Sequence, residues 1–405
     1  MINSGDTAFM LLATALVMLM TPGLALFYGG MVRTKNVLST ILQSFVCLGV
    51  VTLIWVLYGY SLAFGPDRMG LIGNFDWAFL SGVGLAPGPY APSIPHLLFS
   101  AFQLMFAIIT PALITGAFAE RIKFSAFLLF LVLWTSLVYL PVCHWVWGGG
   151  WLGKIGALDF AGGTVIHINS GAAALVAALI IGKRKGWGHD SFMPHHLPMV
   201  VLGGGILWFG WFGFNAGSAL SAGPTAVTAF VTTHISAAIA ALSWMVAEWL
   251  YNGKPTVLGA VSGAVAGLVA VTPAAGFVSP VSSVIIGLVA GVLCYFAIMM
   301  KTRLGYDDAL DVVAVHGIGG FWGALATGIF ASKAVNPDGA NGLLFGNPAQ
   351  FLIQLAGALA VIVFSVVLTA VILKVVDKTV GLRVTEEEEV QGLDLSQHSE
   401  VGYTS

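Results

Sequence analysis

The sequence predicts an all-α polytopic membrane protein with eleven transmembrane helices, arranged as an inverted five-plus-five repeat followed by a final span. Three observations predict this fold: an apolar composition, eleven apolar stretches of spanning length, and an Asp and His pattern that occurs twice. Of the 405 residues, 58% are hydrophobic and only 8% are charged. A soluble surface needs roughly 25–35% charged residues, so a water-soluble globular protein is excluded. The few, scattered cations also argue against a nucleic-acid-binding surface.

Eleven stretches are apolar enough to form spans, because about 20 apolar residues cross the roughly 30 Å hydrocarbon core. They are centred near residues 19, 52, 107, 134, 172, 207, 238, 264, 291, 320 and 362. The stretches near 207, 264 and 320 are glycine-rich, which helices tolerate where they pack closely. The first stretch follows M-I-N-S-G-D, which lacks the basic start of a signal peptide, so we expect it to be the first span.

Lysine and arginine residues indicate the orientation of the chain. With the N-terminus outside, thirteen of the sixteen basic residues fall on one side of the membrane, and only Arg68, Lys154 and Lys333 fall on the other. The side richer in Lys and Arg faces the cytoplasm. The pattern therefore predicts an inner or plasma membrane protein with its N-terminus outside and its C-terminus inside.

Two segments suggest an internal repeat. D-F-A-G-G-T-V-I-H ends at His167 and D-A-L-D-V-V-A-V-H ends at His316, so in both an Asp precedes a His by eight residues. The first segment opens span five and the second opens span ten. Two five-span halves have opposite orientations, and such inverted repeats place a transport site near the midplane between them.

This repeat defines the expected domain organisation. A transmembrane domain covers residues 1–378, with half-repeats of about 1–185 and 195–332 and a last span of about 347–377. A cytoplasmic tail covers residues 379–405.

His167 and His316 are the candidate functional residues within the spans. Ionisable groups inside a membrane are costly and usually face a cavity or the bundle interior, so we interpret both as functional. The alternative is a pair of histidines whose rings are satisfied by backbone carbonyls. Neither segment has the set of carboxylates or thiolates expected of a metal site, so no metal site or cofactor is expected. Two facing imidazoles can share one proton, which leaves a donor and an acceptor for a small polar molecule.

Three aspartates precede these histidines. Eight helical residues span about 12 Å, so Asp159 and Asp308 lie too far from their histidines to hydrogen-bond with them. We expect both to cap helix N-termini, where a carboxylate accepts free N–H groups. Asp311 lies one turn further along, and we assign all three to structural support, with direct substrate contact by Asp159 as the alternative.

Several aromatic residues have helical spacing. Phe102 and Phe106 are four residues apart, and Trp211, Phe214 and Ser218 lie on one face of another helix. Spacing alone favours core packing for these residues, and it favours a position at the membrane interface for Trp147.

A set of strings extends from the first span to the tail: T-P-G-L-A-L-F-Y-G-G, A-F-Q, A-E-R, W-V-W-G-G-G, D-F-A-G-G-T-V-I-H-I-N, G-W-F-G-F-N-A-G-S, T-P-A-A-G, D-D-A-L-D-V-V-A-V-H-G and G-L-R-V-T-E-E-E-E. Together they resemble the Amt family of ammonium transporters, within the Amt/Rh superfamily. The resemblance implies an eleven-span subunit that forms a homotrimer in the lipid bilayer, with a separate pore in each subunit.

The resemblance also implies roles for the residues that match the motifs of the family. It implies an ammonium-binding site at Trp147, Ser218 and Phe102, and a phenylalanine gate at Phe106 and Phe214. It implies pore positions for His167, His316 and Trp211, with Asp159 as a support for the outer site. The sequence departs from the family pattern at Leu104 and Met105 beside the gate and at Ser399 in the tail.

The expected activity is transport and not catalysis. Ammonium is recruited at the outer aromatic site and deprotonated, and ammonia then passes the twin histidines, with methylammonium as a further substrate. Whether the proton follows is left open by the sequence. One alternative is an ammonium sensor that acts through a cytoplasmic partner. Another is an Rh-like gas channel, although the resemblance implies that the Rh branch lacks the cation site of Trp147 and Ser218.

The acidic tail permits two interpretations. A run such as Glu386–Glu389 is usually a solvated, disordered end. However, G-L-R-V and G-L-D-L hold apolar residues that could dock, and Arg383 and the glutamates could pair with the basic loops at 121–123 and 183–185. The resemblance implies docking beneath the trimer and a PII-type signal protein as a partner at the cytoplasmic face.

Overall fold

The computed structural model describes residues 1–403, and its architecture is almost entirely helical. Ten helices are long and apolar enough to cross a membrane, and an eleventh, α8, is a shorter apolar helix. Their bounds are α1 Ser4–Met31, α2 Thr34–Phe64, α3 His96–Phe118, α4 Phe124–Lys154, α5 Gly163–Ile181, α6 Leu197–Gly217, α7 Pro224–Asn252, α8 Val257–Val271, α9 Pro280–Leu304, α10 Val313–Phe330 and α11 Pro348–Val380. The predicted all-α fold with eleven spans is confirmed.

The two halves of the repeat, α1–α5 and α6–α10, pack through equivalent helices. The first helices of the halves, α1 and α6, lie along each other, and the last helices, α5 and α10, also touch. Glycines allow the close approach of α1 and α6: a Cβ added to Gly203 would lie 2.3 Å from the backbone N of Phe27. Small residues let membrane helices approach closely, which explains the glycine-rich character of this span.

On the outer side, the connection between α2 and α3 forms two small antiparallel sheets. Strands β1 Asp67–Arg68 and β2 Ile72–Gly73 pair with each other, as do β3 Pro87–Gly88 and β4 Ala91–Pro95. The buried imidazole of His144 lies 2.9 Å from the carbonyl oxygen of Ala63 and 3.0 Å from the carboxylate of Asp67. These contacts fix the outer end of α4, where the chain turns toward Trp147.

On the side that the charge asymmetry assigns to the cytoplasm, buried ion pairs join the loops. The carboxylate of Glu120 lies 2.8 Å from Arg33 and 3.2 Å from Arg184, and Arg184 also lies 2.8 Å from Asp307. Burial alone would raise the pKa of Glu120, but the charges of Arg184 and Arg33 outweigh it, and the pKa lies below its usual value. This network connects the loops that follow α1, α3, α5 and α9.

The tail is folded against these loops up to residue 403, and Thr404 and Ser405 of the predicted tail lie outside the described residues. Helices α12 Glu386–Gln391 and α13 Leu393–His398 follow α11. The N–H of Val384 donates to the carbonyl oxygen of Arg121 at 3.1 Å. Lys185 pairs with Glu386 at 2.7 Å, so the acidic run begins an ordered, docked helix.

Candidate functional site

Each half of the repeat brings one histidine to the centre of the molecule. Both α5 and α10 begin with a π-helical turn, Gly163–Ile168 and Val313–Ile318, and each turn carries its histidine. The Nδ1 atoms of His167 and His316 are 3.2 Å apart, and the ring centroids are 5.2 Å apart. One Nδ1 must donate and the other accept, because a hydrogen bond needs one proton between them. Such π-turns occur frequently at functional sites.

Glycine residues make this contact possible. A Cβ added to Gly171 would lie 2.2 Å from the Cα of Gly317, so the backbones of α5 and α10 touch there. A Cβ on Gly320 would lie 2.8 Å from the Cβ of His167. Any larger residue at these positions would separate the two helices and therefore the two imidazoles.

Aromatic rings form a column that leads from the histidines toward the outer side. Trp211 stacks on His167 with centroids 5.5 Å apart and planes 20° apart. The ring centroid of Phe214 lies 6.1 Å from that of His167 and 4.5 Å from that of Phe106. The Nε1 of Trp211 donates to the hydroxyl of Thr272 at 2.9 Å. The structure thus brings the predicted gate residues and the predicted pore residues into one continuous contact.

The histidines line a narrow central cavity of about 20 Å³. Its walls are mainly Leu, Met, Ile, Val and aromatic side chains, and its polar groups include His167, His316, Ser262 and Asp311. Because few dipoles solvate a charge there, a dry cation in this cavity would be unfavourable relative to a neutral molecule.

An outer cavity of about 270 Å³ begins on the other side of Phe106. Trp147 and Ser218, predicted as substrate-binding residues, both line it. The Nε1 of Trp147 donates to the carbonyl oxygen of Asp159 at 2.8 Å, which fixes the indole plane. The Ser218 hydroxyl donates to the carbonyl oxygen of Phe214 at 2.8 Å, so its oxygen lone pairs remain free to accept.

The structure separates Phe102 from the other predicted outer-site residues. Phe102 is fully buried, does not line the outer cavity, and packs on Phe106 with centroids 4.8 Å apart. Gln103 lines the cavity instead, and its Oε1 atom has no hydrogen-bond partner among the described residues. Sequence reasoning missed Gln103, and the available signal was a lone amide inside an apolar span.

The three predicted support residues have different surroundings. Asp159 accepts N–H bonds from four consecutive residues, Gly162 to Val165, at 2.7–3.1 Å. Asp308 accepts one, from Val313 at 2.7 Å, and its Oδ1 has no partner within the described part of the chain. Burial raises the pKa of Asp308 to about 6, although the charge of Lys301 opposes the shift.

Asp311 differs from both of these caps. It adopts a left-handed backbone conformation with φ of 63°, and its carboxylate pairs with Lys301. The pair lies where the central cavity approaches the cytoplasmic side, because Asp311 lines that cavity together with Leu310. Asp311 is therefore a charged component of the inner mouth as well as a structural residue.

Comparisons with known proteins agree over almost the whole chain. Residues 8–403 match the model of the family described as "Ammonium Transporter Family". The chain is 55% identical to an ammonium transporter of Bacillus subtilis, over 98% of each chain. It resembles the crystal structure of Saccharomyces cerevisiae Mep2 with a TM-score of 0.90 and 38% identity, covering 96% of this chain and 89% of that one. A structure titled "Sensor Amt Protein" is similar with a TM-score of 0.90 and 32% identity, covering 97% of this chain and 98% of that one.

Proposed function

Because the chain belongs to the ammonium transporter family, we propose a specific route by which this multi-pass membrane protein moves its substrate. Ammonium enters the outer cavity beside Trp147 and Ser218, and it loses a proton before or at the ring pair of Phe106 and Phe214. Ammonia then crosses the central cavity past the histidines. The observation that carries the proposal is the imidazole pair in an otherwise mainly apolar cavity, directly behind the packed rings of Phe106 and Phe214.

Energetics favour this route over passage of the intact cation. Moving a small ion into a low-dielectric interior costs on the order of 20 kcal/mol by an idealised Born estimate. Contact with the Trp147 ring offsets about 2 kcal/mol, and a hydrogen bond to Ser218 offsets roughly 1.5–3 kcal/mol. These terms suffice to concentrate ammonium in the outer cavity but not to carry it through. Potassium cannot lose a proton, so the same barrier excludes it.

The histidine pair supplies polar contacts where the rest of the wall supplies few. The Nε2 atom of His167 has no hydrogen-bond partner among the described residues, so one imidazole nitrogen remains available to ammonia. A proton shared between the two Nδ1 atoms allows the pair to donate or accept without a net charge. Methylammonium fits the same scheme, because it has a proton to release and only one additional methyl group.

The proposal also includes the oligomeric state of the protein and a soluble partner. A homotrimer with one pore per subunit, and a PII-type signal protein at the cytoplasmic face, follow from the family resemblance. The docked tail supports this part of the proposal, because it presents α12 and α13 on the cytoplasmic side beside the inner loops.

The test uses purified full-length protein in proteoliposomes. We expect saturable uptake of radiolabelled methylammonium and exclusion of potassium. The double variant His167→Ala with His316→Ala should abolish selective ammonium transport while the assembled protein stays folded. Unchanged ammonium flux together with unchanged exclusion of potassium in the double variant would contradict the twin-histidine route.

Sensing is the second candidate, because the chain is also similar to a structure titled "Sensor Amt Protein". Measuring both ammonium flux and the binding of a cytoplasmic partner distinguishes the two functions. A sensor would change its binding of a cytoplasmic partner with external ammonium even when flux is blocked, whereas a pure transporter would not.

A further inference from the structure

A lysine side chain lies at the cytoplasmic mouth of the proposed pore. Lys301 belongs to the last turn of α9, and its ammonium group donates to the backbone carbonyl of Asp308 at 2.8 Å. It also donates to the carboxylate of Asp311. The side chains of Lys301 and Asp311 are only 15% and 21% exposed, so the pair is partly shielded from water.

The oxygen atoms around Lys301 form a cation-binding arrangement. Asp311 contributes a carboxylate and Asp308 contributes a backbone carbonyl, and the negative charge of the buried Asp308 side chain acts on Lys301 without a hydrogen bond between them. Asp311 lines the same cavity as His316, so a molecule that leaves the histidine pair toward the cytoplasm passes this cluster. Lys301 is the resident cation of the cluster.

The chemistry of the resident cation matches that of the proposed substrate. A lysine ammonium group presents three N–H donors and a single positive charge, much as free ammonium does. If Lys301 were absent, the carboxylate of Asp311 and the carbonyl oxygen of Asp308 would lie at the mouth without their counter-charge. A site of that kind would hold ammonium formed when ammonia is protonated at the exit. Conduction requires binding that is weak enough for release.

We propose that Lys301 acts as a tethered ammonium group that fills the cation position at the inner mouth and so prevents free ammonium from being trapped there. This inference rests on the proposed route through the histidine pair, and it assigns to Lys301 a role in substrate release. Asp311 holds the lysine in place, and its left-handed backbone turns the chain at the start of α10.

The first experiment measures binding and does not depend on transport. Thermal unfolding of the detergent-solubilised full chain is compared in ammonium chloride and in choline chloride at equal ionic strength. We expect ammonium to stabilise K301M more than the parent protein, whose response comes from the outer cavity alone. The double variant K301M/D311N should lose this gain, because it removes a main carboxylate of the site. Equal responses of the parent and K301M would overturn the proposal.

The second experiment measures release. Uptake of radiolabelled methylammonium into proteoliposomes is titrated with unlabelled ammonium on the cytoplasmic side. K301M should be inhibited at an ammonium concentration about tenfold lower than the parent, as expected for a new charge-assisted hydrogen bond. K374M, which removes an exposed lysine of α11, is the matched control and should behave as the parent. Inhibition that persists in K301M/D311N would also overturn the proposal.

The two experiments separate this inference from the proposed function. A parent protein that does not transport would refute the route, whereas the binding experiment would still decide the role of Lys301. If K301M does not fold in choline chloride, ammonium chloride should restore the folded yield. Equal failure in both salts would count against the tethered cation.

Discussion

The two Asp and His elements are alike in sequence but not in how their aspartates are satisfied. On the outer side, Asp159 accepts four N–H bonds from the helix start that it precedes. On the inner side, Asp308 accepts one, and Lys301 and Asp311 lie beside it. The carboxylate of Asp159 stabilises the start of α5, whereas the carboxylate of Asp308 interacts with the charges of Lys301 and Asp311. The two halves of the repeat therefore share the position of the helix start and of the histidine, but they differ in the charged residues around the aspartate.

Local backbone conformation explains the difference. Gly162 has φ of 118°, a conformation that glycine adopts without strain, and it wraps the chain around the carboxylate of Asp159. The inner element instead turns at Asp311, whose own side chain points to Lys301. The loop that carries Asp159 encloses its carboxylate, whereas the carboxylates of Asp308 and Asp311 depend on the positive charge of Lys301 in α9.

The largest expected effect comes from removing the enclosed carboxylate. Asp159→Ala would leave four buried N–H groups without an acceptor, and each such group costs about 1–3 kcal/mol. We expect a loss of at least about 3 kcal/mol in the free energy of unfolding, or failure to accumulate folded protein. Thermal unfolding in detergent measures this, with Asp159→Asn as the milder variant. A melting temperature equal to that of the parent would show that the backbone does not depend on Asp159.

A second prediction concerns the inner ion-pair network. Glu120→Gln removes the buried charge between Arg33 and Arg184, and we expect a loss of roughly 2–4 kcal/mol. The depressed pKa of Glu120 means that its contribution is present above the usual pKa of a glutamate and is lost as the pH falls. Melting curves between pH 7 and pH 3 should therefore converge for the parent and the variant. If the difference in stability between the parent and the variant stays the same at every pH, groups other than Glu120 cause the loss of stability in acid.

A third prediction tests the outer cavity as a capture site. Ser218→Ala removes one acceptor for ammonium but leaves the column of rings intact, so it should weaken uptake at low concentration about tenfold and change maximal flux less. Methylammonium uptake over a wide concentration range measures both quantities. The same fractional loss at every concentration would instead assign Ser218 to the passage step.

The smallest effect is expected at the inner cap. Asp308→Asn keeps an oxygen that can accept the N–H of Val313, so at pH 4, where the parent carboxyl is protonated, the free energy of unfolding should change by less than about 1 kcal/mol. The pKa of Asp308, raised to about 6, means that the parent loses stability as the pH rises from about 4 through 6, because ionisation of the buried group is unfavourable. The variant should lack this dependence. If both proteins respond identically between pH 4 and 8, Asp308 does not titrate in that range.

The sequence predicted the features that depend on local pattern. Apolar length determines whether a helix can span, so eleven spans could be counted, and the Asp and His spacing identified α5 and α10 as equivalent. The same pattern predicts that Asp159 supports a helix start, and its carboxylate accepts four N–H groups there. These conclusions need only neighbours in the chain.

Other parts of the site depend on contacts between distant helices. The partnership of Lys301 with Asp311 depends on how the end of α9 faces the start of α10, and no spacing rule connects two helices across a loop. Gln103 and Phe102 are adjacent in sequence, but the rotation of α3 sends one to the outer cavity and the other into the core. The resemblance implied a role for Phe102 in binding, and that role stays a prediction.

The contact between Gly171 and Gly317 has a consequence for how the pore responds to heat. Where two backbones touch directly, no side chain lies between them, so no rotamer change at the crossing can alter the distance between the helices that carry the two histidines. Warming populates alternative side-chain conformers elsewhere, but it has none to populate at this crossing. If ammonia takes the proposed route past the histidines, the discrimination between ammonia and larger solutes should therefore stay nearly constant over the temperature range in which the helices remain packed, while the rate of passage rises.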